Sequence, residues 1–261
     1  MARRVGMALA AAGIGIAVWQ AVAMGAGWAR GVEFPTPWTT AARLAELVRG
    51  RPLADHLLYR HLLDSLARWG IGFAIAAVAG VAYGLVAGWY PTVERLTMPL
   101  VHALQLVPGL AWIPVALLLF GIGQGATIFM IAATAFGPVA INALTGVKQV
   151  DATYVRAARM LGARGTLLLG RVLVPGALPH ILSGLRTGLG NGWRVLVAAE
   201  MVVGAGTGLG YSIIQARWTL DYASALACLV VIAAIGLVVE RAVFRTLEER
   251  TIERWGLARS V

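Results

Sequence analysis

The stretch ATIFMIAATAFGPVAINALTGV, residues 126–147, runs for 22 residues without an aspartate, glutamate, lysine or arginine. At about 1.5 Å of rise per residue, roughly 20 apolar residues in a helix cross a hydrocarbon core about 30 Å thick. Inside such a core every backbone N–H and C=O must find a partner within the segment, so a run of this kind reads as a spanning helix. Five more runs share the character: about 5–28, 69–89, 100–120, 181–203 and 223–244. The fold class that follows is all-α, a polytopic membrane protein of about six transmembrane helices forming a single domain over residues 1–261.

Composition agrees. Hydrophobic residues make up 59% of the chain and charged residues 13%, about half the roughly 25% carried by a soluble domain, and mean hydropathy is +0.77. A net charge of +10 would also suit nucleic acid, but the arginines are not gathered in one segment. They fall at the ends of apolar runs, where positive charge orients membrane helices, and no nucleic-acid partner is expected. The one cysteine, Cys228, cannot form an intrachain disulfide, and His56, His61, His102 and His180 are scattered. With no metal-ligand spacing among them, no metal site is expected. The first run follows Arg3 and Arg4 and contains a cleavage-like Ala21-Val22-Ala23. It exceeds the about 7–15 residues of a signal-peptide core, which favours a retained helix.

Residues 29–67 interrupt the pattern with EFPTPW (33–38) and nearly balanced charges, and Leu44, Leu47 and Val48 follow the spacing of a short surface helix. Elsewhere Gly80, Gly84 and Gly88, and again Gly184, Gly188 and Gly192, recur every fourth residue. Such ridges let helix backbones approach closely, either within the subunit, the favoured reading, or along a dimer seam. With the N-terminus inside, the inner segments hold Arg3, Arg4, Arg95, the run from Lys148 to Arg171, and Arg245, Arg250, Arg254 and Arg259. That distribution places both termini in the cytoplasm.

Residues 148–180 then form a cytoplasmic loop. Asp151 or Thr153 suits an N-cap, Gly162 suits the position just past a helix end, and about ten residues of helix lie between. Ala157 and Ala158 give this helix a small-residue notch beside Arg156 and Arg159. A second piece, Thr166–Val174, is expected to stop at Pro175. A plain connector needs only about 2–8 residues, so the segment reads as a hairpin of two short helices built for docking.

At these residues the chain resembles the permeases of bacterial ABC importers. Their coupling loop follows Glu-Ala-Ala, three residues, Gly, nine residues, then Ile-x-Leu-Pro. Ala157, Ala158, Gly162 and Pro175 match at those spacings, Val172 and Val174 stand for the aliphatic positions, and Arg156 replaces the glutamate. Further similarity lies in HLLDSLARWGIGFAIA (61–76), VPGLAWIPVALLLFGIG (107–123), GLRTGLGNGWRVLVAAEMVVGAGTGLGYSI (184–213) and LEERTIERWG (247–256), and is closest to the branch importing sulfonates, taurine and nitrate. The resemblance implies a homodimeric permease of the bacterial inner membrane. Two cytoplasmic ATPase subunits would use ATP and Mg²⁺ and dock on the coupling hairpin, an extracytoplasmic solute-binding protein would deliver the solute, and transport would proceed by alternating access. Sulfonate, taurine, nitrate, a carboxylate and a pyrimidine precursor all remain open as cargo.

The residues themselves argue against ATP hydrolysis by this chain. Its single lysine, Lys148, lies in GVKQ, outside any GxxxxGK[ST] loop. The glycine-rich GAGTGLG (204–210) lacks both GxGxxG spacing and a preceding strand, and reads as an outer turn. No cofactor is expected in this chain. A passive channel would not need the hairpin, and an intramembrane enzyme would need a nucleophile or metal cluster in its spans.

Polar residues inside spans are costly and usually face a cavity or a partner. The translocation-pathway candidates are therefore Gln105, Trp112, Asn191, Arg194 and Glu200, with Asn142 a weaker one. Gln105 and Trp112, seven residues apart between prolines, would share a face. Asn191 and Arg194, three apart, would too. Arg194 and Glu200 should not pair within their own helix. An anion site and a structural hydrogen bond are both open for Arg194, as are a gate and an anchor for Glu200.

Overall fold

A computed structural model describes residues 2–31 and 33–239. Among them are eleven α-helices: α1 (Ala2–Arg30), α2 (Pro37–Val48), α3 (Leu58–Trp89), α4 (Pro91–Leu106), α5 (Ile113–Phe120), α6 (Gln124–Lys148), α7 (Ala152–Met160), α8 (Gly165–Leu168), α9 (Val174–Val203), α10 (Leu209–Trp218) and α11 (Tyr222–Val239). The fold is all-α, with no strand among the described residues. Five helices are long and apolar enough to cross a membrane, and a sixth span results if α4 and the segment after it count as one. The last run extended to residue 244 on sequence grounds. Its end, the LEERTIERWG stretch and the C-terminal arginines lie outside the described residues.

The opening stretch forms α6, which is the centre of the molecule. Met130, Ile131, Ala135, Val139, Ala140 and Ala143 are all fully buried, and α3 and α9 both pack along this helix on adjoining sides. Glycine permits that approach. A Cβ added at Gly80 would sit 2.9 Å from Val139 Cβ, at Gly88 2.8 Å from Val147 Cβ, and at Gly84 inside the Ala143 methyl. On the α9 side, a Cβ at Gly184 would lie 2.6 Å from Asn142 Cβ and at Gly188 2.8 Å from Val139 Cγ2. Both ridges are thus spent on packing within the subunit, where close backbone contact supplies the attraction that the hydrophobic effect cannot provide in lipid.

Three element boundaries differ from the sequence reading. The run 100–120 is not one helix: α4 ends at Leu106 and the next segment, Gly109–Phe120, turns away by 103°. Pro108 lacks the N–H a continuous helix needs and disfavours α geometry at Val107. The second span, α3, begins at Leu58 rather than near Trp69, because one polar face of its first turns, His61, Ser65 and Arg68, is paired and buried. Finally, Pro175 does not stop a helix but begins one. It occupies the first turn of α9, where the missing donor costs nothing, and α8 joins α9 through one wide π turn, Leu169–Leu173. The expected second hairpin piece is therefore the start of a nearly continuous helical rod over Gly165–Val203.

The amphipathic helix predicted in the first interruption is α2. Thr36 caps it, accepting from the Thr39 amide at 3.2 Å, and its Leu44 and Leu47 enter the core. Arg43 ties it to α11: its Nε donates to Ser224 Oγ at 2.7 Å and its Nη2 to Asp221 Oδ2 at 3.2 Å. Burial pushes the Asp221 carboxyl up, but the Ser224 hydroxyl and amide, with Arg43, outweigh it and hold the group below its ordinary value.

Candidate functional site

Three sites are strung along α9. The first lies at its α2 end. On α3, His61, Ser65 and Arg68 recur at i, i+4 and i+7, one face of a helix, and that face meets Glu200 on α9. Arg68 Nη1 lies 2.7 Å from Glu200 Oε1, with the two side chains 3% and 0% exposed. Ser65 Oγ is 2.8 and 2.9 Å from the two carboxylate oxygens, and the Gly210 amide donates to Oε2 at 3.0 Å. Arg68 also donates to the Thr207 carbonyl at 2.8 Å and to its Oγ1 at 2.7 Å.

The GAGTGLG loop is held by the same group of side chains. The Leu209 amide donates to Ser65 Oγ at 2.9 Å and the Gly208 amide to His61 Nδ1 at 3.0 Å. An amide can only donate, so Nδ1 is bare and the proton sits on Nε2, which donates to the Leu53 carbonyl at 2.8 Å. His61 is thereby fixed as one neutral tautomer. Gly208, at φ +127°, presses against the Glu200 carboxylate where any side chain would collide. Glu200 is an anchor for this loop, fully enclosed and away from open surface. Arg68, Ser65, His61 and Thr207 were not singled out from sequence. The i, i+4, i+7 spacing of His61, Ser65 and Arg68 was the available signal for those three; Thr207 carried none.

The second site is midway. Arg194 is exposed on α9, and it does not pair with Glu200. Its Nη2 donates to Asn191 Oδ1 at 2.7 Å and its Nε to the Gly190 carbonyl at 3.2 Å, so Asn191 and Arg194 share a face as their spacing predicts. Arg194 borders a cavity of about 800 Å³ between α9 and α11, whose walls include Trp69, Arg186, Thr187 and Trp193. Trp69 and Trp193 meet edge to face at 5.0 Å between ring centroids. Gln105 is elsewhere, exposed near the end of α4 beside Gly137 of α6. Trp112 lies beyond the bend, half-buried and 6.1 Å from the Phe129 ring. The 103° turn therefore separates Gln105 from Trp112, and the seven-residue rule, valid only for an unbroken helix, does not apply to them. Asn142 turns back on its own helix, donating to the Pro138 carbonyl at 2.8 Å.

The third site is α7, at the opposite end. Asp151 caps it, accepting from the Thr153 amide at 2.7 Å, and that backbone hydrogen bond, with the Thr153 hydroxyl, holds the carboxyl below its ordinary value. The cap is therefore present at neutral pH and is lost only as pH falls through that lowered value. The helix ends in a Schellman motif: the Gly162 amide donates to the Arg159 carbonyl at 3.0 Å and the Ala163 amide to Ala158 at 2.9 Å. Gly162 adopts φ +87° there. No residue of α7 is buried. Val155 and Ala158 are half-buried toward the body, while Tyr154, Met160 and Leu161 are 68%, 89% and 90% exposed. Pro175 starts the next long helix, away from this turn.

Residues 76–251 match the family model described as the binding-protein-dependent transport system inner membrane component. The chain is 38% identical over 216 residues to the taurine transport system permease protein TauC of Escherichia coli, covering 83% of this chain and 78% of that protein. It is 35% identical over 187 residues to the bicarbonate transport system permease protein CmpB of Synechococcus elongatus, covering 72% and 67%. A solved chain of the MetNI methionine ABC transporter, in an inward-facing conformation, superposes with a TM-score of 0.55 at 20% identity, covering 80% of this chain and 96% of that one. That likeness is one of fold.

Proposed function

The chain belongs to the binding-protein-dependent transport family as the membrane permease of an ABC importer, and from that premise we propose that it carries a small solute bearing an anionic group. The observation that carries this reading is the exposed Arg194–Asn191 pair, set midway along a spanning helix beside a cavity. A guanidinium at mid-membrane is costly without a partner, and a transient anionic cargo supplies one. The named cargos of the two relatives, taurine and bicarbonate, fit the same charge requirement.

In this reading a second copy of the chain completes the pathway against the uncovered face of α9. The α7 end, with Arg156, Arg159, Arg164 and Arg171, faces the cytoplasm, as the positive-inside rule requires. Both termini lie on that side. The α2 end faces outward and receives a solute-binding protein. Two separate ATPase subunits, with Mg²⁺ and ATP bound to them, seat on the outward side of α7 at Arg156, Ala157 and Gly162, while Ala158 packs inward against the body. The mechanism follows from the rod: α7 leads through its glycine stop into the helical stretch 165–203, so displacement at α7 moves Arg194 in the middle while Glu200 at the far end acts as the pivot. Alternating access becomes the tilting of one stiff element that is clamped to α3 at its outer end.

Two measurements test this. In proteoliposomes holding the assembled transporter, Arg194→Ala and Asn191→Ala should each lower uptake about tenfold or more, the scale of one lost charge-assisted hydrogen bond. Wild-type uptake and solute-stimulated ATP hydrolysis in both variants would remove the pair from the pathway. Gly162→Pro forbids the positive φ of the α7 stop, and the ATPase should no longer co-purify with the permease. Retention of a coupled complex would count against α7 as the dock.

A further inference from the structure

We infer that the ATPase surface receiving α7 presents a carboxylate opposite Arg156, making this dock charge-complementary as well as apolar. The inference rests on the docking reading above and extends it to the chemistry of the partner. The outward face of α7 carries Tyr154, Ala157, Met160 and Leu161, all exposed, a set of side chains that a partner would cover. Arg156 lies at the edge of that face next to Met160, on the side away from Tyr154. Met160 follows it by four residues and so stands on the neighbouring turn of the same side. Among the described residues the Arg156 guanidinium makes one hydrogen bond, a long one from Nη2 to Thr153 Oγ1 at 3.3 Å.

Closing an apolar surface over this face strips water from the guanidinium. An arginine cannot shed its proton, and a buried charge left without a partner is strongly destabilising. Among the described residues no carboxylate forms an ion pair with it, and Asp151 acts on it only at a distance. Between Lys148 and Arg217 only Asp151 and Glu200 are acidic. The first is committed to the Thr153 amide and the second is sealed at the far end of α9. Among the described residues no ion pair engages Arg156, Arg159, Arg164 or Arg171. The counter-charge must therefore come from whatever covers α7. Lipid headgroups fit less well, because a helix lying in a membrane keeps its arginines on the face away from the apolar one. Here the inner face, Val155 and Ala158, is turned toward the protein.

The test is the affinity of the cognate ATPase for the full permease in nanodiscs of purely zwitterionic lipid. Arg156→Glu should weaken binding at least about thirtyfold, Arg156→Lys should retain most of it, and wild-type affinity should fall with added salt. Exchanging the facing acidic residue of the ATPase for lysine should restore binding to Arg156→Glu. Wild-type affinity in Arg156→Glu would overturn the inference, as would a loss seen only when the discs contain anionic lipid. Leu161→Asp separates this from the docking reading itself. If it releases the ATPase while Arg156→Glu does not, α7 is the dock but its partner is not acidic there. If neither variant matters, the dock lies elsewhere and both fail. Arg156 is exposed and makes no core contact, so thermal stability of the permease should be unchanged in every Arg156 variant.

Discussion

Glu200→Ala should destabilise the permease by about 3–5 kcal/mol, the cost of leaving one member of a buried ion pair without its partner. Arg68 is 2% exposed, and its Nε already lacks a hydrogen-bond partner, so removing the carboxylate leaves a guanidinium supported only by Thr207. The loss extends further, because the Gly210 amide and the Ser65 hydroxyl are also bonded to that carboxylate. Unfolding in mild detergent, followed by heat or denaturant, measures the effect. The decisive comparison is the double variant Arg68→Met/Glu200→Leu, which removes both charges and should be less destabilised than either single change. If the double variant is as unstable as the sum of the singles, the interaction is not a charge pair. In the assembled transporter, Glu200→Ala should also free the 204–210 loop, seen as faster proteolysis or hydrogen exchange there.

Gly84→Val is the second large effect. Its new Cβ would fall inside the Ala143 methyl and within 2.7 Å of the Ala140 carbonyl and the Leu144 amide nitrogen. Two of these three are backbone atoms, so no rotamer change relieves the clash and α3 must move off α6. Overpacking a core costs about 1–3 kcal/mol when side chains can yield, and here the cost should reach at least the upper end. Ala143→Gly in the same chain removes one of the three obstacles and should recover part of the loss. Gly70, on the same helix, meets nothing within 4 Å. Gly70→Ala should therefore be neutral or slightly stabilising, by up to about 1 kcal/mol of helix propensity. Equal stability of Gly70→Ala and Gly84→Val would mean that the glycine ridge does not set the α3–α6 distance.

The glycine ridges were legible because period four is a property of a single helix, visible without its neighbour. The same holds for α7. Asp151, the alanine pair and Gly162 act on backbone groups within a few residues of themselves, so local chemistry places the cap and the stop. Pro175 misled for a related reason. Proline ends a helix or opens one depending on the chain before it, and here the chain before it is already helical through the π turn at 169–173. The separation of Gln105 from Trp112 was hidden likewise, since periodicity assumes the very continuity that Pro108 breaks.

Apolar length, glycine period and the positions of arginine determine by themselves that this chain is a bundle of about six spans with one short exposed helix between two of them, because each depends on distances along the chain. Only the tertiary structure decides that the partner of Glu200 is Arg68. That pairing joins residues 132 positions apart, and the free energy that enforces it is the desolvation of two charges, which exists only once α3 and α9 have closed on α6.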